Sequence, residues 1–513
     1  MKRTRRIDDA TRAAKKTVDL AVRALPPDVL SLVGFYLPDT TSFFNYLEAI
    51  QGSKAQLGSL QYFWDLATMS TATTTRADWW PPVCLHVTDA SQLDKYSAIV
   101  HLFDAVFIAG VYDLRWITRV LHAMPRRTLR MGCFPRATDV SMPLPAWFKG
   151  LASLPITDLT WSSPPWHAIA DASSIDAVTT LLPILSELPR LHVLNLDRIV
   201  LHADGQTPAL EDVLTVVDTL PHLTSLSLGA PHILESTDAL LLPRDADVVR
   251  LARWLDTTAL VHLSLARWSF DQTSDDMAQF LRVVLRHPTL ETLQVPSCPG
   301  FLRNMTREMY FLDPCRLTTL NLFDCGVHDR TIRWLILVLP AAISLVHLRL
   351  GGNPLGLRGV RELMQLLHRD NAVRTLDLTD VREADGAPIH GDDLCAAIAP
   401  SLAYTKITTL DVSRNNITDV GAKLLASVFL LKHMERVWLT RNNIGRDGAL
   451  ELVFAAATHS LPARLHLEKN PVEQDEEISI AHFPTVALTY DADAACHDWY
   501  HAPSLVSTSV GSA

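Results

Sequence analysis

The chain has 513 residues, 48% hydrophobic and 20% charged, a folded composition rather than a disordered one. Its net charge of −10 argues against a dedicated nucleic-acid binder. The basic start, M-K-R-T-R-R, has no apolar run behind it and no 18-residue apolar segment exists, so neither a secretory signal nor a membrane span is expected.

In chain order, residues 1–24 read as a charged amphipathic helix with Ile7, Ala14, Val18, Ala21 and Val22 on one side. Pro26 and Pro27 open a second helix and Asp28 favours its positive N-terminal end. Val29, Leu30, Leu32, Val33 and Tyr36 cover two of its sides, and Pro38 stops it. Asp39, Thr40 or Ser42 can cap a third helix that carries Phe43, Phe44, Tyr46, Leu47 and Ile50. This segment resembles an F-box. Leu25-Pro26 with Asp28, Val29 and Leu30 match the opening of that motif, and Tyr36-Leu37-Pro38-Asp39 match its turn. The later Val-Cys-like pair followed by Trp is absent, with Gln61-Tyr62-Phe63-Trp64 in its place. The resemblance implies that Leu25, Pro26, Val29, Leu30, Leu37 and Pro38 contact a Skp1-like adaptor. The alternative is that these helices only cap the open end of a repeat array.

Residues 68–82 are Thr-rich, close on two prolines and read as a linker, with Trp79 and Trp80 as packing residues. From Lys406 to Pro471 three stretches overlay as apolar-x-x-apolar-x-apolar-x-x-Asn, with Leu410, Val437 and Leu465 in the central slot, 27 and 28 residues apart. Gly421 and Gly448 stand six residues past Asn415 and Asn442. The pattern resembles a leucine-rich repeat of the long, ribonuclease-inhibitor-like class, one strand and one helix per unit. The residues agree independently. Ile407, Leu410 and Val412 give a short strand one apolar face, a buried Asn can bond backbone groups of the turn, and Val420, Leu424, Leu425 and Val428 recur at helical spacing.

Followed along the chain, the central slots fall at Leu159, Leu194, Leu226, Leu263, Leu293, Leu320, Leu348, Leu376, Leu410, Val437 and Leu465. Weaker strands are expected near 85–87, 105–109 and 128–131, and a final one at 485–490. The Asn slot holds Cys298, Cys325, Asn353, Val381, Asn415, Asn442 and Asn470, but Pro164, Ile199, Pro231 and Trp268 earlier, so the first half reads as irregular. The fold class expected is an α/β leucine-rich-repeat solenoid, a horseshoe with parallel strands inside and helices outside. Residues 1–67 form the helical F-box-like region and 83–490 the solenoid, irregular to about 285 and near consensus over 286–471. Residues 491–513 form a tail.

Of the groups that carry chemistry, no nucleotide, metalloprotease or hydrolase motif is present, and no catalytic residue, metal or cofactor is expected. His497 and His501 near Cys496 are too few for a metal site. The seven cysteines are odd in number, lack a C-x-x-C and read as reduced, which suits the cytoplasm or nucleus. The slot after each central residue points away from the core. It holds Thr160, Asn195, Ser227, Ser264, Gln294, Asn321, Arg349, Asp377, Asp411, Trp438 and His466, which reads as an open, hydrated concave face. Arg349, Asp377, Asp411, Arg414, Arg436, Trp438, Arg441, His466 and Lys469 are the candidate partner-binding residues, with an outward Trp438 among arginines as hot spot. The F-box resemblance implies the substrate receptor of a cullin-type, SCF-like ubiquitin ligase, monomeric apart from its complexes. The alternative is a scaffold or regulator, including a GTPase-activator-like one, without a ligase link.

Overall fold

Leucines at one slot of successive strands meet side by side in the structure, a computed structural model of the chain. It describes residues 26, 29–30, 33–34, 37, 40–52, 58, 60–62, 64–65, 84–87, 93–103, 105–108, 111–124, 128–131, 135, 139–161, 181–188, 190–196, 210–229, 240–271, 274–304, 315–332, 335, 343–368, 371–459, 463–474 and 486–489. The expected helix over 1–24, Leu25, Pro38, the linker 68–82, Pro164, Ile199, Pro231 and the tail 491–513 lie outside the described residues. The chain divides into two compact units, residues 1–196 and 197–513.

In the first unit, helix α1 (Thr40–Gly52) buries Phe43, Phe44, Leu47 and Ile50. The Tyr46 hydroxyl donates to the Leu30 carbonyl at 2.7 Å and ties α1 to the turn that starts at Pro26. Strands β1 (Cys84–Val87), β2 (Ala105–Ile108), β3 (Thr128–Met131), β4 (Asp158–Trp161) and β5 (Val193–Asn195) are parallel, each beside the next. Leu85, Val106, Leu129, Leu159 and Leu194 share one register and are fully buried. Helices α2 (Leu93–Ile99), α3 (Leu114–Ala123) and α4 (Leu144–Ala152) connect them. Asp113 caps α3 by accepting from the Arg115 and Trp116 amides. The buried indoles of Trp116 and Trp147 find acceptors at Ser97 Oγ (3.0 Å) and the Tyr112 carbonyl (2.8 Å).

The second unit opens with α5 (Leu210–Val217), β6 (Ser225–Gly229), α6 (Asp245–Thr257), β7 (His262–Ala266), α7 (Asp275–Arg286), β8 (Thr292–Gln294) and β9 (Thr319–Asn321). It continues through β10 (His347–Arg349), α8 (Gly356–Leu367), β11 (Thr375–Asp377), α9 (Gly391–Leu402) and β12 (Thr409–Asp411). Then come α10 (Asp419–Phe429), β13 (Arg436–Trp438), α11 (Arg446–Ala457), β14 (Ala463–His466) and β15 (Val486–Thr489). Each strand from β6 to β15 pairs in parallel with the next. The expected register holds: Leu226, Leu263, Leu293, Leu320, Leu348, Leu376, Leu410, Val437 and Leu465 are consecutive partners, and Leu488 follows. The expected inward stripe of α10 needs one correction. Val420 is 62% exposed, while Ala422, Leu425, Ala426 and Phe429 are buried. Val420 precedes Leu425 by five positions, and five steps of a 3.6-residue helix turn a side chain well away from the starting face.

Where the slot holds Asn, Cys or Trp268, its side chain holds the turn after the strand; Val381 in that slot is apolar and buried. Asn353 Nδ2 donates to the Leu322 carbonyl at 2.7 Å, Asn415 to Leu378 at 2.8 Å, Asn442 to Val412 at 3.1 Å and Asn470 to Leu439 at 2.8 Å. Each acceptor lies in the preceding repeat. Cys298 and Cys325 keep the rung with a thiol, donating to the Leu265 and Val295 carbonyls at 2.8 Å. Burial pushes the Cys298 thiol up to about 12, so it retains the proton it donates. Trp268, which made its repeat look irregular, does the same with its indole N–H, 3.0 Å from the Leu228 carbonyl. The glycines six residues past Asn have their own reason. Asp392 accepts from the Thr418 and Gly421 amides, and Asp419 from Gly445 and Gly448, so a carboxylate on one helix caps the next. A Cβ on Gly421 would stand 2.5 Å from Asp392 Oδ1, and one on Gly448 2.6 Å from Asp419 Oδ1.

Candidate functional site: the polar side of the sheet

In a parallel sheet the residues on either side of a central leucine point opposite to it, and equivalent positions stack about 4.8 Å apart. Arg349, Asp377, Asp411, Trp438 and His466 therefore form one continuous column across β10 to β14. The expectation of an open, hydrated column is corrected. Asn321, Asp377 and Trp438 are buried, and Arg349, Asp411 and His466 keep only part of their exposure. Neighbours at this spacing cover one another when their side chains are large. Arg349 Nε donates to Asp377 Oδ2 at 3.0 Å, so the two charges neutralise each other. Asp377 and Asp411 also accept from the Thr379 and Ser413 amides. Burial and the Asp377 carboxylate push the Asp411 carboxyl up to about 7.

Trp438 is the sharpest departure. Its ring, expected in solvent, is 3% exposed and stacks on the His466 ring with centroids 5.0 Å apart and planes 13° apart. The Arg436 guanidinium sits 5.2 Å from its centroid, a cation–π contact. Beneath lies Glu468, fully buried, which accepts from Thr440 Oγ1 at 2.7 Å and faces His466 Nδ1 at 3.3 Å. The sequence reading passed over Glu468, although it occupies the slot three past the central leucine that Ser413 and Thr440 also fill.

Two rows flank this column. Half-buried Arg436 pairs in register with Arg464, an exposed arginine that the reading missed even though it precedes Leu465 as Arg436 precedes Val437. On the other side Arg414, Arg441 and Lys469 occupy the position just before the Asn slot, all exposed and all in the left-handed region, with φ of 58°, 57° and 56°.

The adaptor candidates are distributed differently from expectation. Pro26 is exposed and Val29 is 39% exposed, but Leu30 is 1% exposed and packed inside, and Leu37 is half-buried. Val29 and Leu30 amides both approach the Pro26 carbonyl, so Pro26 does open a helical turn. Among the described residues no group of three or more His, Cys, Asp or Glu could hold a metal ion, and no helix is long and apolar enough to cross a membrane.

A family model described as Leucine Rich repeat matches residues 405–426. Over 271 residues the chain is 25% identical to the Homo sapiens NACHT, LRR and PYD domains-containing protein 5, covering 52% of this chain and 21% of that protein. The chain thus spans about a fifth of the length of the curated relative it matches. It is similar to a chain of the crystal structure of the Rad7 and Elc1 complex in yeast, at 12% identity over 96% of this chain and 97% of that one, with a TM-score of 0.41. A protein from Bacteroides fragilis is similar at 15% identity over 58% and 85% of the two chains, with a TM-score of 0.35. At these scores neither structure carries a conclusion about this chain. The repeat match and the strand-by-strand register make it an α/β leucine-rich-repeat solenoid, a scaffold that supports a protein-interaction module.

Proposed function

We propose that this chain is a non-enzymatic protein-recognition module, the substrate-receptor subunit of a cullin-type, SCF-like ubiquitin ligase, acting in the cytoplasm or nucleus. The N-terminal helices dock a Skp1-like adaptor, and the polar side of the second unit's sheet holds the protein substrate. The observation that supports recognition is the row of exposed residues beside a rigid, self-covered column on β12 to β14. Such a face presents fixed side chains at low entropic cost to a partner. Pro26 and Val29 at the surface support the adaptor half of the reading.

Co-purification of the tagged full-length chain with a Skp1-like adaptor tests it. The wild-type chain is expected to retain the adaptor, and Val29→Asp, at an exposed position, to lose it with an unchanged melting temperature. If the wild-type chain retains none, the ligase reading fails. The second reading, a scaffold or regulator whose N-terminal helices serve as a cap, is favoured by the inward packing of Leu30, Phe43, Phe44 and Leu47.

A further inference from the structure

Resting on the recognition reading above, we propose that the partner engages β12 to β14 through a short run of acidic residues, held by Arg414, Arg441 and Lys469 with Arg464 alongside. The backbone at the first three positions does not ask for basic side chains. A left-handed φ favours Gly, Asn or Asp. The same position in the five preceding repeats holds Arg267, Ser297, Asp324, Gly352 and Asp380, a cation once and small or acidic residues four times. Three consecutive repeats instead place a long cation there, in a conformation that costs long side chains free energy.

The charge balance points the same way. Three acidic groups nearby are already used: Asp377 by Arg349 at 3.0 Å, Asp380 by Arg382 at 2.6 Å, and Glu468 by Thr440 and His466. Among the described residues, no ion pair uses Arg414, Arg441 or Arg464. Arg436 and Arg464 are direct cross-strand partners, and like charges so placed repel. Arg414, Arg441 and Arg464 thus carry positive charge outside any ion pair of the described residues, on a chain of net charge −10. The buried Trp438–His466 stack is its floor, and Trp438 props the Arg436 guanidinium from below.

The dimensions select the occupant. Three strands about 4.8 Å apart span about 10 Å, the length of three or four extended residues. Before β12 the cations of this row stop: the preceding positions hold Asp380 and Gly352, with Asp380 and Asp377 already paired to Arg382 and Arg349. A short acidic segment therefore spans the whole row, and a longer polyanion finds no further cation at the two positions before it. Carboxylates suit arginine forks, which bind them in charge-assisted pairs.

The test uses the full-length chain and a fluorescein-labelled peptide with four consecutive glutamates, followed by anisotropy at about 50 mM and about 300 mM salt. Saturable binding that weakens with salt is expected, and Arg414→Glu with Arg441→Glu should weaken it roughly tenfold or more. Arg253→Glu with Arg286→Glu on α6 and α7 makes the same change in net charge and should leave it within about twofold. Melting curves establish that both double variants are folded. Equal losses in the two variants, or no saturable binding by the wild-type chain, overturn the proposal. So does a single-stranded oligouridylate that binds the same arginines more tightly than the peptide. Adaptor retention is scored on the same preparations, so peptide failure with the adaptor retained sinks this inference and leaves the receptor reading intact.

Discussion

The side-chain oxygen of Asn442 accepts the backbone N–H of Asn415, 27 residues earlier, at 2.9 Å, and that of Ile417 at 3.1 Å. Its Nδ2 donates to the Val412 and Leu439 carbonyls. One buried amide thus satisfies four backbone groups in two repeats. Asn442→Ala leaves them without partners, at about 1–3 kcal/mol for each group that water cannot reach. A loss on the order of 3 kcal/mol or more is expected in urea denaturation. Asn442→Cys keeps a donor, as Cys298 and Cys325 do, and should lose less; equal losses would show that the thiol rung carries nothing.

Gly421 lies where the Asp392 carboxylate reaches the start of α10. Gly421→Ala would bring a methyl 2.5 Å from Asp392 Oδ1, 2.9 Å from Ile417 Cγ2 and 3.1 Å from Cys395 Sγ. Overpacking of this kind costs about 1–3 kcal/mol. Although alanine is the better helix former, a lower melting temperature is expected, and a rise would mean that the cap yields easily.

Trp438→Ala should destabilise by about 3–5 kcal/mol, the scale for deleting a buried large aromatic. The substitution removes the His466 stack and the support of Arg436 together. A melting temperature within a degree or so of wild type would return the ring to solvent and to the hot-spot role that alternation alone suggests.

Asp411 gives the fold a pH dependence of definite sign. Its folded-state carboxyl titrates at about 7 against an ordinary value of 3.8. Between these limits the folded chain holds a proton that the unfolded chain has released. The stability this group contributes is full below about pH 4 and lost as pH rises through 7. Asp411→Asn keeps an acceptor for the Ser413 amide and cannot ionise. Its melting temperature should exceed wild type by more at about pH 8 than at about pH 5. Parallel profiles would show that Asp411 is charged throughout.

The strand register was legible because the apolar period of two and the slot spacing leave one way to stack the central leucines. The rung residues were legible where they were Asn or Cys. Trp268 escaped because an indole does not look like an amide, yet the turn needs only a donor aimed at Leu228. Register put Asp377, Asp411, Trp438 and His466 in one column, as alternation predicts, but their exposure was not legible. Alternation says which side a residue takes, whereas burial on that side depends on the bulk of the neighbours in adjacent repeats, as His466 does for Trp438. Leu30 illustrates the same limit in a helix: its position within the F-box-like stretch gave no hint that the Tyr46 hydroxyl would hold that turn inward.

The rungs also give the array a polarity. Asn442 and Asn353 satisfy backbone amides of the repeat before them, Asn415 and Ile417 in one case, Cys325 and Val327 in the other. Removing a repeat from the C-terminal side strips fixed amides that cannot turn elsewhere for a partner. Removing one from the N-terminal side frees the rung amide of the next repeat, oxygen and Nδ2 alike, which can turn to water, together with backbone amides such as Glu435 that donate to the lost repeat. Truncations from the two ends are therefore inequivalent in the rung groups they leave behind, fixed backbone amides at one end and a rotatable side-chain amide at the other.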